Sequence, residues 1–323
     1  MKKKFYDIND YNYEIVEKIV QLIDDKKRYD VILKIYEHNG DVTKDFKKLK
    51  KLKKQYKKVK FKIVYSDEYI KKNKKKQIIL NIICILLIFI IIGTIIYFSL
   101  FFIDQNKSQK LSKDIKKYKI EIETPNNNDE NKEEIITAYN RKYSKMFSDL
   151  KQINNDTVGW LTIKGTNIDY PVVKHSDNDY YLNKDFEKNT NRYGWVFMDY
   201  RNSAPNLSQN TIIYGHDSGG VMFANLYKVL YKKWYTNKNN QIITFNTETE
   251  SSSWQIFSIY KIDTTSDYLK TTFSGNEFNN FVNMITQRSI YNFKVQVNSN
   301  DKILTLSTCH GDKQRLVVHA KKL

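Results

Sequence analysis

Hydrophobic and polar positions alternate in short runs through the C-terminal half of the chain, beginning at residue 158. The runs are rich in β-branched and aromatic residues and are bounded by turn-forming residues, a pattern typical of β-strands. Seven or more such strands in about 190 residues predict a closed or nearly closed barrel, or a sandwich. Two of the runs surround Cys309, and the others read VGWLTI, IDYPVVK, GWVFMDY, NTIIYGH, QIITFN and SWQIFSIYKI.

Helical periodicity precedes these strands and interrupts them twice. Residues 132–154 repeat apolar side chains on one side and predict a helix that packs against the strands. Two insertions, residues 221–233 and 277–288, are also predicted to be helical. The fold class is therefore mainly β, with an N-terminal helix and helical insertions. The apolar face of the second insertion consists of Phe278, Phe281, Val282 and Ile285.

One stretch is apolar throughout. Residues 77–103 contain no charged side chain over 27 positions, which exceeds the roughly 20 residues that a helix needs to cross a bilayer. The run is too long, and begins too far into the chain, for a cleaved signal peptide. Five lysines precede it closely and Asp104 follows it. The positive-inside rule then predicts a single-pass protein of the cell membrane with a cytoplasmic N-terminus.

Charge separates the N-terminal segment from the rest. The formal net charge of the chain is +18. Residues 1–76 hold 24 basic and 12 acidic residues, so this segment carries 24 − 12 = 12 of the 18 excess positive charges. Strand-like runs at 29–36 and 59–65 flank a basic amphipathic helix at 45–58. This helix is compatible with binding to anionic inner-leaflet lipid, or with a solvated lysine face on a small βαβ-like unit. Nucleic-acid binding has no motif here and is not expected.

These patterns divide the chain into four parts. A basic cytoplasmic segment (1–76) and a transmembrane helix (77–103) are followed by a polar stalk (104–131), in which TPNNNDEN is too polar to bury a core. The extracellular domain then covers residues 132–323.

The candidate chemistry lies at the end of one predicted strand, TLSTC. Cys309 ends this strand, and Arg315 begins the next apolar run after a turn that contains Gly311 and Asp312. A thiolate that attacks a carbonyl creates negative charge on the oxygen, which a fixed guanidinium stabilises. Cys84 lies in the apolar run and cannot meet Cys309 across a bilayer. We therefore interpret Cys309 as a nucleophile and not as a buried small hydrophobe.

A thiol nucleophile usually needs a histidine that is adjacent in space. His216 is the best candidate, because it ends a predicted strand beside glycines that allow a substrate to approach. His310 follows Cys309 directly, and in extended backbone the two side chains point to opposite faces. No spacing of a closed zinc site is present, so neither a metal nor another cofactor is predicted. The histidines of this domain are His175, His216, His310 and His319.

These motifs resemble those of the sortases, which are membrane-anchored cysteine transpeptidases of Gram-positive bacteria. TLSTC followed by RLVV is similar to their active-site strand pair, and YGHD (214–217) is similar to their histidine motif. The resemblance covers roughly residues 132–323. Its class B character rests on residues 158–173, 177–186 and 194–202 and on the helical insertion between residues 267 and 291.

The resemblance implies a closed β-barrel of about eight strands and a transpeptidase mechanism. Cys309 would cleave a sorting motif of the form xPxTG or xPxTN after Thr and form a thioester acyl-enzyme. His216 would act as general acid and then base, and Arg315 would stabilise the oxyanion. The implied partners are secreted proteins with C-terminal sorting motifs and an acceptor amine from peptidoglycan or a pilin lysine. The implied peptide-binding residues are Asn178, Leu182, Tyr214 and Ser307.

Two other interpretations remain open from the sequence. A membrane-bound thiol hydrolase would use the same residues with water in place of the amine. A non-catalytic envelope receptor would bind peptides on its barrel, and Cys309 would then be incidental. Two features depart from the usual sortase plan, namely the short turn before Arg315 and the segment 1–76. No calcium site is evident.

Overall fold

The computed structural model describes residues 4–9, 11–25, 31–37, 40–56, 59–120, 132–309 and 314–323. These residues form two compact units, Met1–Tyr97 and Phe98–Leu323. One long helix, α4, contributes to both units, since it runs from Asp67 to Lys116. Each unit is described separately below.

The first unit is a small parallel sheet with helices packed against it. Its strands pair in the order β1-β2-β3, and both pairings are parallel. Val16, Leu33 and Leu52 are buried in its core. The two predicted strands and the basic helix are confirmed, while β1 and α1 were not predicted. The elements are β1 (Lys4–Ile8), α1 (Tyr13–Asp25), β2 (Val31–Glu37), α2 (Asp41–Lys44), α3 (Phe46–Gln55) and β3 (Val59–Tyr65).

Helix α4 contains the uncharged run. Among the described residues it is the one helix that is long and apolar enough to cross a membrane. The predicted polar stalk differs from the structure over residues 104–116, which continue α4 and carry the buried residues Ser108 and Ile115. Segments distant in the sequence bury these two residues. The polar composition of residues 104–116 gives no indication of that contact. Residues 121–131, including TPNNNDEN, lie outside the described residues.

The second unit is built on a closed β-barrel. Its sheet order is β11-β12-β10-β9-β4-β5-β6-β7-β8, and pairing of β11 with β7 closes eight of these strands into a ring. The predicted barrel is thereby confirmed. The strands are β4 (Thr157–Ile163), β5 (Asp169–Val173), β6 (Phe197–Met198), β7 (Asn210–Ser218), β8 (Val221–Met222), β9 (Ile242–Thr247), β10 (Ser251–Asp263), β11 (Ile303–Cys309) and β12 (Gln314–Lys322).

The barrel interior is filled by large side chains. Trp160, Trp195 and Trp254 are almost completely buried, and full burial of one large apolar side chain contributes about 1.5–3 kcal/mol. Helix α5 (Lys132–Ile153) adds Phe147 and Leu150 to the same core. The N-terminal helix predicted for this domain is therefore confirmed.

The two predicted insertions differ in outcome. Helix α7 (Glu277–Gln287) buries its predicted apolar face against β10. The insertion predicted at 221–233 is only partly helical: it opens with strand β8, continues as a 3-10 helix (Phe223–Leu230) and leads into α6 (Lys232–Thr236). The positive φ angles of Gly219 and Gly220 reverse the chain, so that β8 pairs back onto β7.

Candidate active site

Strand β11 places Cys309 between two neighbouring strands. In the parallel pairing with β7, Cys309 is the register partner of His216. On its other side β11 pairs antiparallel with β12, where Ser307 stands opposite Val317. Arg315 lies two residues before Val317 on that strand. The three residues selected from the sequence therefore lie at one end of three adjacent strands, although they are up to 99 residues apart in the sequence.

A cleft of about 520 Å³ lies next to this end of the barrel. Arg315 lines it, as do all four residues that the resemblance implied for peptide binding. Its walls combine apolar side chains such as Phe197 and Leu269 with hydroxyl groups from the segment 264–266. Those four residues are Asn178, Leu182, Tyr214 and Ser307, and their role in binding stays a prediction.

His216 is held by one hydrogen bond. Its Nε2 lies 2.8 Å from the backbone carbonyl oxygen of Leu182. A carbonyl oxygen only accepts hydrogen bonds, so Nε2 carries the proton and Nδ1 is the free basic nitrogen of the neutral ring. The ring is partly buried and is thus both oriented and accessible. This arrangement suits proton exchange with a group in the cleft.

A buried carboxylate, Asp199, organises the wall of the cleft. Its Oδ2 accepts hydrogen bonds from the Tyr214 hydroxyl (2.8 Å) and from the Asn178 amide (3.1 Å). Arg201 donates through Nε and Nη2 to the two carboxylate oxygens, at 2.8 and 2.7 Å. The carboxylate therefore fixes the positions of two cleft residues that the sequence had selected separately.

Electrostatics keep this network in one protonation state. Burial raises the pKa of the Asp199 carboxyl, but the guanidinium and backbone N–H of Arg201 and the Tyr214 hydroxyl outweigh burial, and the pKa lies below its usual value. Burial and the neighbouring Asp199 charge raise the pKa of Tyr214 far above its usual value. Tyr214 therefore remains a neutral donor at physiological pH.

We expect Asp199→Ala to lower the free energy of unfolding at pH 7 by about 3 kcal/mol, because hydrogen bonds from three side chains to a buried charge are lost. Since the folded pKa lies below the unfolded value of 3.8, this stabilisation is complete above that pH and is lost as the pH falls further. Urea titrations of the full-length chain in detergent at several pH values measure it. The exposed neighbour Asp179 provides the control substitution, and equal stability of Asp199→Ala and Asp179→Ala would contradict the assignment.

Several of these residues were not predicted from the sequence. Asp199 and Arg201 lie in the segment 194–202, where a charged residue directly after an apolar run was the available signal. Tyr268 is almost fully buried and shares a hydrogen bond of 3.0 Å with the Ser307 hydroxyl. The position of Tyr268 depends on how the segment before α7 packs on the barrel, and local periodicity does not predict that packing.

Of the other histidines, His175 and His319 do not line the cleft. His175 is bonded to Asp177 at 2.8 Å and stacks on Tyr180. His319 is completely buried between the hydroxyl groups of Tyr260 and Thr305, and burial lowers its pKa to about 3. His310 and the turn with Gly311 and Asp312 lie outside the described residues. Within the described residues, no group of three or more His, Cys, Asp and Glu side chains could hold a metal ion.

Comparison with known proteins identifies the family. The Sortase domain family model matches residues 161–323. Sortase B of Listeria monocytogenes is 37% identical over 198 residues, which are 59% of this chain and 79% of that protein.

Solved structures show the same relationship. A Staphylococcus aureus sortase B–substrate complex has a TM-score of 0.54 at 36% identity and covers 59% of this chain and 90% of its own. Sortase B from B. anthracis has a TM-score of 0.58 at 33% identity, and the match covers 69% of this chain and 99% of the B. anthracis chain. The chain therefore belongs to the sortase family of cysteine transpeptidases, and the relatives that it matches are of class B.

Proposed function

We propose that this protein cleaves a sorting motif of the form xPxTG or xPxTN between Thr and Gly or Asn, and transfers the Thr carbonyl to a cell-envelope amine. The observation that carries this proposal is the alignment of Cys309 and His216 as register partners on neighbouring parallel strands. Continuing the β11–β12 register by two residues brings Cys309 opposite Arg315. The nucleophile Cys309 is therefore on β11, the proton carrier His216 on β7 and the cation Arg315 on β12, at the same end of the three strands.

In the first step the Cys309 thiolate attacks the Thr carbonyl carbon, and negative charge develops on the carbonyl oxygen beside the Arg315 guanidinium. The C–N bond breaks, a C–S thioester forms, and protonated His216 gives its proton to the leaving amine. In the second step the acceptor amine attacks the thioester and His216 takes up its proton. The thiolate leaves, and the new amide bond completes the transfer.

The cleft fits an extended peptide. Leu182, Phe197 and Leu269 offer apolar contacts, while Asn178 and Ser307 offer polar groups at the same wall. The S. aureus relative was solved as a sortase B–substrate complex, which supports peptide binding in this cleft. We infer that secreted proteins with C-terminal sorting motifs are the substrates, and that the acceptor is a peptidoglycan amine or a pilin lysine.

Intact-mass spectrometry on the full-length chain in detergent tests this function. The protein is incubated with xPxTG and xPxTN peptides, with and without added amines such as triglycine. We expect a mass gain equal to the N-terminal half of the peptide, which the amine discharges as a new amide. Discharge by water alone, at a rate that the amine does not change, would indicate the hydrolase; no adduct with any peptide would favour the receptor.

We also propose that α4 crosses the cell membrane once, with the first unit in the cytoplasm and the barrel outside. The apolar, uncharged run of α4 and the lysines at positions 71, 72 and 74–76 support this topology. We infer that α3 faces anionic inner-leaflet lipid through its lysines. Leu49 and Leu52 are buried in the core of the unit, so the contact is electrostatic, at about 1 kcal/mol per lysine near the surface.

Lysine acetylation in nanodiscs tests the lipid contact. We expect slower labelling of the α3 lysines in discs with anionic phosphatidylserine than in neutral phosphatidylcholine discs, because the negative surface attracts them. High salt should remove the difference, since it screens the charges. Lys145 and Lys184 of the second unit are internal controls. Equal labelling of α3 in both lipids would contradict the proposal.

A further inference from the structure

The last five turns of α4, residues 98–116, pack on the barrel domain. Ser108 is 1% exposed and Ile115 is 3% exposed, whereas the membrane-length apolar part of the same helix has none of its residues buried. Phe101 lies inside the uncharged run and meets the Tyr193 ring edge-to-face, with 5.9 Å between the ring centroids. This part of the helix is therefore a structural element of the second unit.

The helix contacts the turn that follows His216 in the chain. The Gln105 amide donates a hydrogen bond of 2.7 Å to the carbonyl oxygen of Gly219. Gly219 has a φ of +64°, and a Cβ atom there would lie 2.3 Å from the Tyr193 ring. Phe101 packs on the same ring. The turn between β7 and β8 therefore contacts both Gln105 of the helix and Tyr193, on which Phe101 packs.

A second connection passes through Tyr170. Burial raises the pKa of the Tyr170 hydroxyl, and the nearby Ser112 side chain of the helix offsets part of that rise. The same hydroxyl accepts a bond of 3.1 Å from the backbone N–H of Met222. Met222 pairs with Asp217, the residue after His216. Its φ of +50° is unfavourable for a residue with a side chain, and such backbone persists only where its surroundings enforce it. The helix lies beside Tyr170, whose hydrogen bond to Met222 helps to hold this backbone conformation.

A third connection reaches the hydrogen-bond acceptor of His216. Ser108 accepts a bond of 2.8 Å from the Asn191 amide, and Arg192 donates to Asp104 at 2.8 Å. Gly194 lies two residues after Arg192, and a Cβ atom there would lie 2.2 Å from the Tyr181 carbonyl oxygen and 2.7 Å from that of Leu182. The Leu182 carbonyl is the group that orients the His216 ring. The helix therefore contacts the turn that follows His216 and the segment 191–193, which is joined through Gly194 to the carbonyl groups of Tyr181 and Leu182.

We propose that residues 98–116 of α4 are a positioning element for His216, so that the helix leaving the membrane is needed for the geometry of proton transfer. The helix acts through the β7–β8 turn and through the segment 191–194, and none of residues 98–116 lines the cleft. This inference rests on the catalytic role proposed for His216. It also predicts that a soluble fragment beginning at residue 104 lacks one of the contacts, the one made by Phe101.

Hydrogen exchange of the full-length chain in detergent tests the structural part of this inference. Gln105→Ala removes a hydrogen bond to the turn, and Phe101→Ala removes a ring contact to Tyr193, which packs against the turn. Gln109→Ala is the matched control at an exposed position of the same helix. We expect the amides of residues 216–223 to exchange about tenfold faster in Gln105→Ala and Phe101→Ala, with the rest of the barrel unchanged. Unchanged exchange in both Gln105→Ala and Phe101→Ala would overturn the proposal.

Peptide kinetics test the functional part. In Gln105→Ala and Phe101→Ala we expect the rate of thioester formation at saturating peptide to fall roughly tenfold, because small displacements of a catalytic group are costly. The peptide KM should stay unchanged, since the cleft itself is untouched. Faster exchange without a loss of rate would overturn the positioning role. Absence of the thioester in the wild-type chain would instead refute the proposed function, and the exchange result would still report on the contacts.

Discussion

Cys309→Ala in the full-length chain is expected to abolish thioester formation and to lower turnover by about 10⁴-fold or more, as removal of a nucleophile does in comparable enzymes. The physical reason is that neither Ala nor any neighbouring group can form the covalent bond to the Thr carbonyl. Intact-mass spectrometry with the sorting peptides measures the adduct, and peptide cleavage measures the rate.

The chain contains its own control for this experiment. Cys84 is the other cysteine and lies in the uncharged run of α4. Cys84→Ala should retain the adduct and the rate of the wild-type chain. If Cys309→Ala still formed a peptide adduct, or if Cys84→Ala lost it, the nucleophile would be assigned wrongly. Normal cell-surface anchoring by Cys309→Ala would support the non-catalytic receptor.

His216→Ala is expected to lower the rate of thioester formation by roughly 10²–10⁴-fold, which is the usual contribution of a general acid–base. The ring is only partly buried and makes one side-chain hydrogen bond, to Leu182, so the domain should remain folded. His175→Ala is the matched control, because that ring is bonded to Asp177 away from the cleft. Peptide cleavage assays with circular dichroism on each variant provide the measurement.

Arg315→Ala should lower the same rate by about 10²–10³-fold, as loss of one oxyanion donor does. Arg315→Lys keeps the charge but not the planar guanidinium, and we expect it to recover only part of the rate. Near-normal rates in His216→Ala or Arg315→Ala, with a folded domain, would refute the corresponding role. If a variant kept the wild-type rate but had a raised peptide KM, the residue would be assigned to peptide binding and not to catalysis.

Local patterns in the sequence were sufficient for most strands of the barrel domain and for the three candidate catalytic residues, whereas strand β8 lies in a segment that was predicted to be helical. The alternation of apolar and polar residues in a strand, and the residues that form turns, involve only near neighbours in the chain. They can therefore be recognised without knowledge of the fold. The uncharged run of residues 77–103 is equally local, since its length and composition alone match a bilayer. Cys309 and His216 were recognisable because each ends a predicted strand.

The N-terminal unit shows where local patterns were insufficient. Its predicted strands are confirmed, but β1 lacked a strong pattern in isolation. Helix α1 was not predicted either, although Val16 and Val20 recur at helical spacing and are buried. Parallel strands of such a unit become stable only when a crossover helix covers them, so their existence depends on packing between separate segments. The same holds for residues 104–116, whose polar composition predicted a stalk although Ser108 and Ile115 are buried.

The sequence by itself therefore determined the class of protein, its membrane-length helix and the identity of the candidate catalytic side chains. Only the tertiary structure decided that β7 pairs with β11, which makes His216 the register partner of Cys309 across 93 residues of chain. It also decided that Asp199 is buried as the common partner of Asn178 and Tyr214, and that α4 packs against the turn after His216. Strand pairing and the burial of polar groups are set by contacts between distant segments, and no single stretch of sequence contains both partners.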